Sequence, residues 1–185
     1  MTEAVIDALE SALLRGERPL ARRDRRRRAA PRRSAPPPPD DGAGRRRALG
    51  PTVIFVDTSA VVAILIAEPD AASLATKLEA DRERISAGHV ILEASIRLAG
   101  QLGLTPTVAD QLVTRLLREA EIKVVPITED IARASVEAFE RYGKGRAAPA
   151  NLNVGDCLSY ACAKAHGARL LFKGHDLSQT DIVRA

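Results

Sequence analysis

Val53-Ile54-Phe55-Val56-Asp57-Thr58-Ser59 is the stretch that decides the fold. Four apolar, mostly β-branched residues predict a short buried strand, and the run ends abruptly on a carboxylate. Ala60-Val61-Val62-Ala63-Ile64-Leu65-Ile66 follows, bounded by Glu68-Pro69, and reads as a buried helix starting just past Asp57. Asp57 then stands at the carboxyl end of a central strand, where open α/β sheets place their ligands. The plain alternative is that Asp57 only caps the helix, which Asp does well.

Outward from that stretch, strand and helix patterns alternate. Asp70 to Glu83 predicts a helix with Leu74 and Leu78 inward, and Arg84-Ile85-Ser86-Ala87 a short strand. His89 to Gln101 is helical, with Ile91, Ala94, Leu98 and Leu102 on one stripe and Gly103 as its stop. Thr107 to Glu121 is a further helix with Val108, Leu112, Leu116 and Leu117 inward; Ile122 to Val125 is a strand and Glu129 to Tyr142 a helix. A polar loop runs from Gly143 to Asn153, then a helix from Val154 to His166, a strand from Arg169 to Lys173 and a turn at Gly174-His175-Asp176. Strands separated by helices imply an α/β domain, a parallel sheet with helices on both faces, over residues 53–185.

Residues 1–52 are of another kind. They hold 13 Arg against 7 acids, whereas the remainder carries 15 basic and 17 acidic residues. The basic character therefore belongs to the leader, and overall charge is no argument for nucleic-acid binding by the body. Residues 3–15 predict a short amphipathic helix, with Val5, Ile6, Leu9 and Leu13 on one face and Gly16 ending it. Residues 19–51, rich in Arg and Pro, have almost nothing to bury and are expected to be disordered, a solvated linker before anything else. Cys157 and Cys162 have the spacing of neither a disulfide nor a zinc site. With no long apolar run and no signal-peptide pattern, a cytoplasmic protein without a membrane anchor is expected.

Four acids lie where packing alone would not put them. Asp57 and Asp176 stand at or just beyond strand ends, Glu93 interrupts Val90-Ile91-Leu92-Glu93-Ala94, and Asp156 opens a helix between apolar neighbours. Each has a structural alternative: Glu93 pairing with Arg97 at i,i+4, Asp156 capping together with Asn153, Asp176 as a turn residue. Together they fall at ends that one sheet edge brings near each other. Clustered carboxylates repel unless a cation lies among them, and oxygen-only ligands select a hard ion such as Mg²⁺ or Mn²⁺. Such sites serve phosphoryl chemistry. His89, His166 and His175 show no ligand spacing and read as surface or capping residues. Phosphate-loop, dinucleotide and nucleophile-elbow motifs are absent.

Ile54-Phe55-Val56-Asp57-Thr58-Ser59-Ala60, Leu92-Glu93-Ala94-Ser95, Tyr142-Gly143-Lys144-Gly145-Arg146, Leu152-Asn153-Val154-Gly155-Asp156-Cys157 and Leu170-Leu171-Phe172-Lys173-Gly174-His175-Asp176 together resemble the PIN-domain ribonucleases, specifically VapC-type toxins of bacterial toxin–antitoxin pairs. The resemblance runs through residues 53–185. It implies a Rossmann-like three-layer fold, Mg²⁺-dependent (or Mn²⁺-dependent) endoribonuclease activity, a homodimer, and inhibition by a cognate VapB-type antitoxin. Carried over by position, Asp57 and Asp156 are the central metal ligands, Glu93 the third acid and Asp176 the fourth. Gly174 and His175 depart from the pattern, standing where other members often carry Asp or Asn. Ser59 is placed to orient Asp57 or a metal-bound water, and Lys144, Arg146 and Lys173 to meet RNA phosphates. Thr2 to Leu9 looks like part of a VapB-type antitoxin, which suggests an antitoxin remnant fused to the body or a start site near Val53. The rival functions are a silent antitoxin-binding module, and a phosphatase or 5′-nuclease using the same metal chemistry.

Overall fold

The structure, a computed structural model, describes residues 53–146 and 149–185. The predicted leader helix at 3–15 and the Arg/Pro-rich stretch after it lie outside the described residues.

Four strands form one parallel sheet: β1 (Val53–Val56), β2 (Glu83–Ala87), β3 (Ile122–Val125) and β4 (Arg169–Leu171). Their order is β3-β2-β1-β4. The strand predicted from Val53 thus lies inside the sheet, with Phe55 registered against Ile85 on one side and Leu170 on the other. Ile54, Phe55 and Val56 are fully buried. Burying an apolar side chain of this kind contributes roughly 1.5–3 kcal/mol, so this run anchors the core. β3 is an edge, and its Lys123 and Val124 are exposed. Beyond β4 the chain end closes the other edge: Leu170 N–H donates to Val183 O at 2.8 Å and Ala185 N–H to Leu170 O at 3.0 Å. An open strand edge is thereby covered.

Six helices surround the sheet: α1 (Thr58–Leu65), α2 (Ala71–Ala80), α3 (Gly88–Leu102), α4 (Pro106–Glu119), α5 (Glu129–Tyr142) and α6 (Val154–Ala165). A 3₁₀ turn, Leu177–Gln179, follows β4. Local chemistry sets their ends. Asp57 caps α1 through Ser59 N–H, Thr105 caps α4 with Pro106 in its first turn, and Thr128 caps α5. Gly103 ends α3 at φ 66°, the left-handed conformation that glycine adopts without strain. α6 packs on β1, β2 and β4 and against α5; α3 packs on α4, and α1 on α2, α3 and α4. Two residues read as inward are partly exposed, Leu102 at 37% and Val108 at 39%, because they occupy the last position of α3 and the first turn of α4.

The order β3-β2-β1-β4 has a consequence for function. The chain steps outward from β1 to β3 and then returns to lay β4 on the other side of β1. The direction of winding reverses between β1 and β4, and crevices open at the carboxyl ends of strands at such a point. Asp57 follows β1 and Lys173 follows β4, so both stand at this place.

Candidate active site

Asp57 is 3% exposed and held from both sides. Its Oδ2 accepts from Ser59 N–H at 2.9 Å and from Ser59 Oγ at 2.6 Å. Its Oδ1 accepts from Ser159 Oγ at 2.6 Å, a contact between β1's end and the inward face of α6. Ser59 Oγ in turn accepts from Lys173 N–H at 2.9 Å, and Asp57 N–H donates to Leu171 O at 3.0 Å. These bonds tie the ends of β1 and β4 together around the carboxylate.

Asp156 forms a capping box with Asn153. Asp156 N–H donates to Asn153 Oδ1 at 3.0 Å, and Asn153 N–H donates to Asp156 Oδ2 at 2.9 Å. Burial pushes the Asp156 carboxyl up to about 6; the bond from Asn153 opposes this, and the charges of Asp57, Glu93 and Asp176 add to it. Those last contributions establish that all four predicted acids share one electrostatic neighbourhood.

Glu93, half-buried on α3, does not pair with Arg97 in the described residues; its Oε2 accepts from Thr58 Oγ1 at 3.1 Å. It also lies hard against the first turn of α6, where a Cβ placed on Gly155 would stand 2.4 Å from Glu93 Oε2. Asp176 is exposed, at the start of the 3₁₀ turn, and makes no side-chain cap. Gly174, two residues earlier, has φ 104°, a backbone conformation that glycine adopts without strain.

The donor set suits a hard cation: oxygen only, charged, and mutually repulsive. Among the described residues, however, no three of His, Cys, Asp or Glu already form a closed metal cage. Asp57 is hydrogen-bonded at both oxygens and Asp156 and Glu93 at one each, which leaves lone pairs on every one of the three carboxylates for an ion. The chemistry of the set fits a divalent ion; the rotamers are those of separately hydrogen-bonded acids.

The basic candidates divide. Lys173 Nζ is taken by Glu68 and, at 2.9 Å, by Asp70, and those two carboxylates hold its pKa above the ordinary lysine value. Lys144 and Arg146 are exposed on the loop after α5, with the Arg146 guanidinium 5.7 Å from the Phe139 ring centroid. Cys157 and Cys162 are free and buried, and burial pushes both thiols up to about 11.

Two residues escaped the sequence reading. Ser159, fully buried, is the distal donor to Asp57. His89, read as a surface or capping residue, is instead half-buried: its Nε2 lies 3.0 Å from Ser159 Oγ and its ring stacks on Phe55, centroids 6.3 Å apart. Burial lowers its pKa, with the Asp57 charge opposing. The available signal was a small hydroxyl three residues beyond Asp156, on the turn of α6 facing the strand end.

Comparison with known proteins shows the family. The PIN domain family model matches residues 54–183. The chain is 44% identical over 133 residues to the VapC ribonuclease Mb0625 of Mycobacterium bovis, covering 71% of this chain and 97% of that protein. It is 39% identical over 127 residues to ribonuclease VapC30 of Mycobacterium tuberculosis, covering 69% and 94%. The crystal structure of Mycobacterium tuberculosis VapC20, described as a sarcin–ricin loop cleaving toxin, superposes with a TM-score of 0.56 at 20% identity, over 71% of this chain and 98% of that one. That last likeness speaks for the fold. The chain belongs to the PIN-domain family. Within it, the chain is one of the VapC ribonuclease toxins of toxin–antitoxin systems. Among the described residues no helix is long and apolar enough to cross a membrane.

Proposed function

We propose that this chain cleaves RNA at the carboxyl edge of β1 and β4, with Asp57, Asp156, Glu93 and Asp176 holding Mg²⁺ or Mn²⁺. The observation that carries this reading is Asp156, half-buried and pushed up to about 6 in the company of the three other carboxylates. Such an arrangement is costly without a cation and gains from one. When bound, the metal supplies positive charge against a phosphate oxygen and a water of lowered pKa.

The protein's own part is to hold the acids ready. Ser59 and Ser159 hold the two oxygens of Asp57, Thr58 holds Glu93, and Asn153 holds Asp156 at the start of α6. The N-terminus of α6 also favours the anionic form of Asp156. Asp176, exposed and unheld, has the least defined part. Lys144 and Arg146, on the loop that leads into α6, are the better placed of the basic candidates to meet phosphates. The partner in this reading is a VapB-type antitoxin, and a cytoplasmic homodimer is the working unit. Leu92 and Val154, each one residue from Glu93 or Gly155 in the chain, are 64% and 71% exposed and offer apolar surface beside the acids.

Thermal melts with and without Mn²⁺ test the reading, together with metal-dependent RNA cleavage and growth arrest on expression in a bacterial host. Saturating metal should raise stability by roughly 2–3 kcal/mol at a hundredfold excess over Kd. Asp57→Asn and Asp156→Asn, nearly isosteric, should abolish cleavage and shrink the metal response while leaving the apo fold intact; Asp176→Asn should do less. Wild-type cleavage by Asp57→Asn would refute the assignment.

A further inference from the structure

Asp57 is held by two kinds of donor. Ser59 N–H and Oγ both serve Oδ2 and come from two residues along the chain, as in many helix caps. Oδ1 depends on Ser159, which is 102 residues away. An Asp side chain has a broad second torsion, so a carboxylate held at Oδ2 alone still swings its other oxygen. What fixes Oδ1 is therefore the direction of one hydroxyl hydrogen.

A serine hydroxyl has one hydrogen and accepts on its lone pairs. At 2.6 Å from a carboxylate oxygen, Ser159 spends its hydrogen on Asp57. Its oxygen can then only accept from the imidazole 3.0 Å away, so His89 must carry its proton on Nε2. Nδ1 is left as the bare lone-pair nitrogen, buried with no hydrogen-bond partner. In the opposite tautomer Nε2 would be the acceptor and would compete with Asp57 for the Ser159 hydrogen. Stacking on Phe55 at an interplanar angle of 15° sets the ring's orientation.

We propose that His89 is a positioning residue for RNA cleavage: as the Nε2–H tautomer it directs the Ser159 hydroxyl onto Asp57 Oδ1 and so aims the carboxylate. This rests on the metal-site reading above and assigns to that site a support drawn from α3. Groups that orient a ligand typically change metal affinity or activity by about 10–100-fold when removed.

The test uses the full chain, four single variants and the double variant His89→Phe with Ser159→Ala. His89→Phe keeps the ring stack and drops the N–H; His89→Gln keeps an amide donor; Ser159→Ala removes the hydroxyl; Asp57→Asn is the control. Nitrogen-15 NMR of the wild-type imidazole should show the Nε2–H tautomer. Mn²⁺ affinity by calorimetry should fall about tenfold in His89→Phe and in Ser159→Ala, with no further loss in the double variant, and His89→Gln should recover most of it. Cleavage should follow the same order while the melting temperature of His89→Phe stays near that of the wild type. If His89→Phe does not fold, the tautomer together with the affinities of His89→Gln and Ser159→Ala decides: Ser159→Ala well below His89→Gln supports the proposal, equal values overturn it. The proposal is likewise overturned by an Nδ1–H tautomer, by wild-type Mn²⁺ affinity in His89→Phe, or by losses that simply add. Wild-type cleavage by Asp57→Asn would overturn the underlying site; loss of cleavage there beside an unaffected His89→Phe would overturn this inference alone.

Discussion

Replacing Gly155 by alanine should separate stability from activity. Gly155 lies in the first turn of α6 and is not among the glycines with positive φ, so its backbone does not require glycine. By helix propensity alone alanine is better, by up to ~1 kcal/mol in a helix interior and less in a first turn. A Cβ there would stand 2.4 Å from Glu93 Oε2 and 3.2 Å from Asn153 Oδ1. Ordinary contact begins near ~3.5 Å, so the Glu93 carboxylate must retreat by about 1 Å. It is the far end of a flexible side chain, and its retreat costs little beyond the 3.1 Å bond from Thr58. The fold should therefore survive while one of the acids is displaced.

A displacement of about 1 Å at a reacting centre can lower a rate by roughly 10²-fold. Gly155→Ala should melt at or above the wild-type temperature, cleave RNA some 10–100-fold more slowly, and need more Mn²⁺ for half-maximal rate. Adding Glu93→Asp, whose carboxylate reaches about one bond less far (~1.5 Å), should restore part of the rate by relieving the contact. The measurements are a thermal melt and a cleavage time course at several Mn²⁺ concentrations. A stable Gly155→Ala with wild-type rate and metal response would refute the reasoning, because it would mean that the position of Glu93 does not matter. A collapse in melting temperature would refute it differently, by showing that Gly155 serves the backbone.

Asp156 gives a pH signature. Its folded pKa, about 6, lies above the ordinary 3.8, so its contribution to apo stability is present below 3.8 and lost as the pH rises through 6. A shift of that size would carry ~3 kcal/mol at full burial, and partial exposure reduces it to ~1–2 kcal/mol. Urea melts at pH 4.5 and 7 should show this difference in wild type and not in Asp156→Asn, and saturating Mn²⁺ should reduce it. Lys144→Ala with Arg146→Ala should weaken RNA binding and flatten its log–log salt dependence by about 1.4, at ~0.7 per single-strand phosphate contact. Lys173→Ala should move the salt slope less, since Glu68 and Asp70 already claim that charge. Deleting residues 1–52 should leave fold, metal response and cleavage unchanged, because β1 begins at Val53; protection of residues 3–15 in limited proteolysis of the full chain would contradict this.

The sheet was legible because its signals are local. Val53 to Val56 is apolar and short, a carboxylate ends it, and four of the six helix starts carry their own cap, in Asp57, Thr105, Thr128 and Asn153. Asp57 at the strand end and Asp156 at the helix start stand where the sequence puts them for the same reason. What stayed hidden was set by side chains meeting across the fold. Nothing near Lys173 in the chain says that Glu68 and Asp70, 105 and 103 residues earlier, will take its charge. Nothing around His89 says that its ring will turn inward over Phe55 and find Ser159. Such contacts depend on strand order, and order β3-β2-β1-β4 is a property of the whole chain.

Capping at Asp57 and Asp156 is compatible with the metal-ligand role proposed for them. An ionised carboxylate offers about four lone-pair sites. The helix caps use Oδ2 in both residues. In Asp57 the second oxygen is aimed by Ser159, and even there each oxygen keeps capacity for a cation. A cap bond is short, local and present before any metal arrives, so it removes rotational freedom that ligand binding would otherwise have to remove. The bond from Asn153 also opposes the rise in the Asp156 pKa and so favours the charged form that a cation needs. The repulsion that remains among the acids is what a bound cation would relieve. On this account the cap's backbone N–H belongs to the site's machinery: Asn153→Pro, which lacks the N–H that Asp156 Oδ2 accepts from, should weaken Mn²⁺ binding more than Asn153→Ala, which keeps it, even though Asn153 is no metal ligand.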